Sequence, residues 1–169
     1  MEVRMEEYRA CSFTGHRTIE KNHQGSIDDL VFRSIAYAYG KGCRTFYSGG
    51  AIGFDTIAAR QVIRFRMTHR DVKLVMLIPC KNQCEKWSLE QKEMYNYCLG
   101  AADTVIYLSM EYTPDCMRER NEKLVSLSDM IIAYVNRNES GSAQTVRMAI
   151  KDGKTVYNLY PTLDKKNQS

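Results

Sequence analysis

The chain has 169 residues, 44% of them hydrophobic, and a formal net charge of +4 from 24 Lys and Arg against 20 Asp and Glu. That length suits one globular domain with a sizeable core and leaves little room for a second. The charges are scattered, with no basic run, which is compatible with a phosphate-bearing ligand without requiring one. The opening MEVRMEEYRA alternates charged and apolar residues, and no stretch is long enough to span a bilayer, so a signal peptide, a membrane anchor and a membrane partner are not expected. A cytoplasmic protein with reduced thiols follows. The six cysteines include no CxxC pair, Cys80 and Cys84 being separated by three residues, and no metal site is expected.

Taken in chain order, apolar and β-branched runs alternate with stretches of helical period. Strands are expected at 10–13, 44–47, 73–78, 104–108, 130–135 and 155–159. Helices are expected between them, over about 26–40, 55–69, 88–100, 114–127 and 142–152. Strands separated by helices cannot form hairpins. The rhythm therefore predicts an α/β, Rossmann-like three-layer sandwich with a mostly parallel central sheet, right-handed crossovers and helices on both faces. One domain spans 1–169, with a core over about 9–160 and a flexible tail from about 163, where LDKKNQS is polar.

In such a sheet the loops after the carboxyl ends of the strands share one edge, where ligands bind. TGHR follows the first strand, SGGAIGFD the second, IPCKNQCEKW the third, SMEYTPDCMRERN the fourth and NRNESGSAQT the fifth. All the unusually polar or glycine-rich loops thus fall on one edge. Thr14, Gly15, His16 and Arg17 reach its mouth, where Arg17 can grip a phosphate and His16 can donate to it or stack on a base. Ser48, Gly49, Gly50, Gly53 and Asp55 form a turn into a helix whose start favours an anion, although the same glycines suit a tight packing turn with Asp55 as a cap. Pro79 and Trp87 belong to the third loop, Trp87 as an aromatic wall or a core residue. Arg118, Arg120 and Asn121 add basic and polar groups from the fourth. Gly141, Ser142 and Thr145 begin another helix and offer a second cradle or an ordinary cap. Neither GxGxxG nor the Walker lysine is present, which argues against a dinucleotide oxidoreductase and a P-loop NTPase.

TGHR, GGAIGFD, IPxxxQxxxW (Pro79, Gln83, Trp87), the MRERN block and SGSAQT, in this order, resemble the YpsA-like branch of the SLOG superfamily, which also contains the DprA proteins and the LOG-type phosphoribohydrolases. The resemblance runs from Cys11 to Leu159. It implies a Rossmann-like domain binding or sensing a nucleotide or nucleotide-derived phosphate ligand at the loops above; no further cofactor is assigned.

Two alternatives come with it. LOG-type enzymes carry a catalytic glutamate in PGGxGTxxE; laid on SGSAQTVRM, that loop puts Arg147 and Met148 at the acidic positions, while Met117 and Arg120 match the LOG arginine block. N-glycosidic cleavage calls for a carboxylate to assist the leaving base or activate water, so no catalytic residue is assigned, with Asp55, Asp115 and Glu119 as the acids nearby. The DprA likeness of GGAIGFDTIAA, RNEKLVSLSD and SGSAQT implies single-stranded nucleic acid as an alternative partner, for which Arg60, Arg64, Arg66, His69 and Arg70 are candidate contacts. A homo-oligomer is left open.

Overall fold

The computed structural model describes residues 8–166. The strands β1 (Ala10–Gly15), β2 (Thr45–Ser48), β3 (Lys73–Ile78), β4 (Thr104–Tyr107), β5 (Met130–Tyr134) and β6 (Thr155–Asn158) form one sheet in the order β4-β3-β2-β1-β5-β6. Every pairing is parallel. The runs MIIAY of β5 and LVMLI of β3 are buried throughout, as strands covered on both faces must be.

The helices are α1 (Ile27–Gly40), α2 (Phe54–Arg66), α3 (Leu89–Ala101), α4 (Cys116–Leu127), α5 (Gly141–Lys151) and α6 (Tyr160–Lys166), with one 3-10 turn at Lys21–His23. Val31 and Ile35 of α1, Ala58 and Val62 of α2, and Tyr95 and Cys98 of α3 join Phe13, Phe46, Met76 and Ile132 in the larger core cluster on one face of the sheet. Val125 of α4 and Ala149 of α5 pack with Ile131 and Ala133 on the other. The result is the three-layer Rossmann-like sandwich that the strand rhythm predicts.

Element ends shift from the expected bounds by up to three residues. The larger difference lies at the carboxyl end, where a flexible tail from about 163 is expected. Residues 163–166 instead belong to α6, with Leu163 fully buried in the larger core, and 167–169 lie outside the described residues. His23 clasps this helix: its Nε2 lies 2.6 Å from Asp164 Oδ1 and its Nδ1 2.7 Å from the Tyr134 hydroxyl at the end of β5. Among the described residues, no helix is long and apolar enough to cross a membrane.

The strand order fixes where a cavity can form. The chain leaves central β1 through β2 and β3 to the edge at β4, then α4 carries it back so that β5 lies on β1's other side. The loops after β1 and β5 part at this reversal, leaving a crevice at the carboxyl ends of the two strands.

Candidate functional site

The crevice holds a cavity of about 320 Å³, lined after β1 by Thr14, Gly15, His16, Arg17 and Thr18, and after β2 by Ala51 and Asp55. Met117, Arg120, Asn121 and Leu124 of α4 and Arg137, Ser140, Gly141 and Ser142 after β5 complete the wall with Phe13.

Arg120 is the buried cation of the wall, 5% exposed. Its Nη1 donates to the Gly49 carbonyl at 2.6 Å and its Nε to Asn121 Oδ1 at 2.9 Å. Gly49 makes that approach possible, because a Cβ there would lie 2.6 Å from Arg120 Cζ and closer still to Nη1. Gly53, at φ +84°, likewise leaves room for the His16–Arg17 backbone; a Cβ there would lie 2.7 Å from the His16 carbonyl. That carbonyl accepts from Phe54 N at 3.1 Å, tying the start of α2 to the loop after β1.

Asp55, also 5% exposed, faces this cation. Its Oδ2 accepts from Ala51 N at 3.3 Å, while its Oδ1 is buried without a donor. Burial pushes the carboxyl up to about 6, against the opposing pull of Arg120, the Ala51 N–H and Arg17. Burial likewise pushes Arg120 down, with Asp55 opposing. His16 is held below its ordinary value by burial and then by the positive charge of Arg137. Its Nε2 accepts from Asn136 N at 3.0 Å, which assigns a neutral ring's proton to Nδ1.

Two further cations stand at the rim. Arg17 and Arg137 are both exposed, and among the described residues neither is ion-paired. Beside them α5 begins, where Ser140 Oγ accepts from Ala143 N at 3.0 Å. The capping bond leaves the Gly141 and Ser142 N–H groups at the positive end of the helix.

The cavity therefore gathers Thr14, Gly15, His16, Arg17, Asp55, Arg120, Asn121, Gly141 and Ser142 of the sequence candidates. The others are not among its lining residues. Ser48 Oγ donates to the Asp55 carbonyl at 2.9 Å, a Cβ on Gly50 would meet Ile78 and Tyr95, and Thr145 Oγ1 donates to the Gly141 carbonyl at 2.9 Å. Pro79 is absent from the lining, and Trp87 packs edge-on to Tyr95 at 5.1 Å. Sequence reasoning missed Arg137, whose only signal was its place in the fifth polar loop, and Thr18, Ala51 and Ser140. At the LOG glutamate positions, exposed Arg147 donates to the Asn138 carbonyl at 2.8 Å and pins that loop.

Fold and cavity define a Rossmann-like domain with a basic cavity at the switch point of its sheet. The chain belongs to the YspA SLOG family, whose model matches residues 10–162. It is 29% identical over 149 residues to the uncharacterised SPbeta prophage-derived protein YoqJ of Bacillus subtilis (strain 168), covering 80% of this chain and 83% of that one. Among solved structures it is similar to DNA processing protein A (DprA) of Streptococcus pneumoniae, with TM-score 0.66 and 18% identity over 89% of this chain. It spans 50% of that protein's length. It is also similar to the DprA of Helicobacter pylori, studied for its single-stranded DNA binding mode, with TM-score 0.63 and 20% identity over 98% of this chain and 75% of that one. At these identities the likeness to DprA is one of fold.

Proposed function

We propose that this protein binds a nucleotide or nucleotide-derived phosphate ligand in the switch-point cavity. The observation that carries the reading is the meeting of exposed Arg17 and Arg137, neither ion-paired among the described residues, with the first turn of α5 at one concave site. Guanidinium groups and free helix N–H groups are donors suited to phosphate oxygens, and the volume lies in the range of small-ligand pockets. His16, neutral and with Nδ1–H left to donate, suits a phosphate ester or a base edge. Arg120 supports the wall from behind, since its Nη1 and Nε already serve Gly49 and Asn121.

The arginines of α2 favour the single-stranded DNA alternative less. Arg66 is held by Asp103 at 2.6 Å and the Ala101 carbonyl at 2.7 Å, and Arg64 lies over the Phe32 ring at 4.2 Å. A phosphoribohydrolase lacks its carboxylate on α5, where Arg147 and Met148 stand.

The test is mass spectrometry of small molecules released on denaturing the purified protein, joined to a thermal-shift screen of nucleotides, dinucleotides and ADP-ribose derivatives. A retained nucleotide or a stabilising one is the expected result. No retained molecule and no shift across the panel would overturn the reading.

A further inference from the structure

The sheet ends at β4, and no strand lies beyond it among the described residues. Leu108 N donates to the Ile78 carbonyl at 2.9 Å. In a parallel pair alternate residues serve the same neighbour, so Ile106 and Leu108 turn their backbone groups to β3 while Val105 and Tyr107 turn theirs to the open edge. Side chains alternate between the faces as well. Val105 packs against the larger core, which puts Ile106 on the opposite face. There α4 lies on β1 and β3 and α5 on β1, β5 and β6, so neither helix has β4 among its main neighbours, and Ile106 is 39% exposed.

Sheets usually guard such an edge with charge, proline or a covering element. The run TVIYLSM at 104–110 has no charged residue and no proline, and Tyr107, Met110 and Tyr112 carry the exposed apolar surface onwards from Ile106. At the other edge the side chains of β6 are already engaged within the chain: the Thr155 hydroxyl lies 2.6 Å from that of Tyr8, and the Tyr157 hydroxyl 2.8 Å from that of Tyr37.

We propose that β4 pairs with β4 of a second copy of this chain, antiparallel about a two-fold axis through Ile106, so that the two sheets run on as one. A second copy is the occupant because the edge fits its own reverse. In this register Val105 stands opposite Tyr107 of the second copy, and Tyr107 opposite its Val105, as hydrogen-bonded pairs built from the outward-facing N–H and C=O groups, each matching a β-branched side chain with an aromatic one. Ile106 meets Ile106 of the second copy as the non-hydrogen-bonded pair at the axis, with Cα atoms about 4.5 Å apart. Asp103, the charge just before the run, falls opposite Ser109 and is already held by Arg66 at 2.6 Å and Lys73 at 3.9 Å. No like charges therefore meet along the paired strands, although the chain carries a net charge of +4. The contact is isologous, which closes the assembly at two copies, and β2 and β3 separate it from the crevice beside β1.

The experiment is sedimentation equilibrium of the full chain over the micromolar range, joined to cross-linking across the axis. The wild-type protein should approach twice the chain mass. Ile106→Lys sets two ammonium groups face to face at the axis and should sediment as a monomer with Tm kept, and mixing it with Ile106→Glu should restore the dimer. Ile106→Cys, exposed to oxidised glutathione, should form a disulfide between copies, since about 4.4–6.8 Å between Cα atoms is the range such a bond spans. Thr104→Cys, which faces Leu108 of the second copy rather than its own counterpart, should not. The cross-link decides the matter if Ile106→Lys does not fold. A wild-type protein that stays monomeric throughout would overturn the proposal, as would a dimer that survives in folded Ile106→Lys or a cross-link that forms as readily with Thr104→Cys as with Ile106→Cys.

Discussion

Replacing Gly49 with alanine tests the arrangement of the wall directly. The new methyl group would lie 2.6 Å from Arg120 Cζ and 3.0 Å from Nε, against roughly 3.4 Å or more for ordinary contact, so the guanidinium must withdraw by close to an ångström. Its 2.6 Å bond to the Gly49 carbonyl cannot survive that movement. Losing a hydrogen bond from a buried charged group costs about 1.5–3 kcal/mol, and overpacking a dense interior costs about 1–3 kcal/mol. At the low end the sum is about 2.5 kcal/mol, which for a chain of this size lowers Tm by about 5–10 °C. Thermal unfolding followed by circular dichroism measures it. The double variant Gly49→Ala/Arg120→Ala removes the atoms that the methyl group meets, so its cost should be less than the sum of the single costs. A Tm for Gly49→Ala within about 1 °C of wild type would refute the packing argument, as would strict additivity in the cycle.

Two other outcomes follow from the same wall. Arg17→Ala and Arg137→Ala should each weaken binding of the nucleotide found in the screen by about ten- to hundred-fold if each grips phosphate, with Tm unchanged because both side chains are exposed; titration calorimetry reads the first and thermal unfolding the second. Asp55 carries a pH signature. Its folded-state value of about 6 lies above the ordinary value of 3.8, so the folded state binds the extra proton between those values, and ionisation above them disfavours folding. The stability of wild type relative to Asp55→Asn should therefore fall as pH rises from about 4 to about 7, with the shared contribution of His16 cancelling in the difference. A difference in Tm that stays flat, or rises, over that range would contradict the burial of the charge.

The layers of the fold were legible because each long apolar run had one interpretation. MIIAY and LVMLI are too short for helices and too apolar for surface, and the helical stretches between them force parallel pairing. Helix α6 was hidden because LDKKNQS offers a single buried anchor, Leu163, and one apolar residue has no period; Pro161, in the first turn, was the local signal for a start. The glycine loop illustrates a different limit. Gly49 and Gly53 read locally as open backbone, yet the space above each is filled by Arg120 from α4 and by the backbone of residues 16 and 17, partners distant in sequence. Arg137 was invisible for a related reason. NRNESGSAQT could be placed at the ligand edge, but the path of its residues depends on the bond from Arg147 to the Asn138 carbonyl and on the capping of α5 by Ser140, neither of which is written in the loop's composition.

The clasp of His23 on Asp164 and Tyr134 bears on how the protein is handled in the laboratory. α6 follows β6 at the carboxyl edge of the sheet, and Asp164 is held against the 3-10 turn a few residues beyond Arg17, so this helix stands beside a loop that lines the cavity. At the other end, Tyr8 N donates to the Lys41 carbonyl at 3.1 Å and Arg9 N to Asp129 Oδ2 at 2.8 Å, both on the opposite edge. An affinity tag or an immobilising linker is therefore better kept off α6, whose clasp adjoins the loop that carries Arg17.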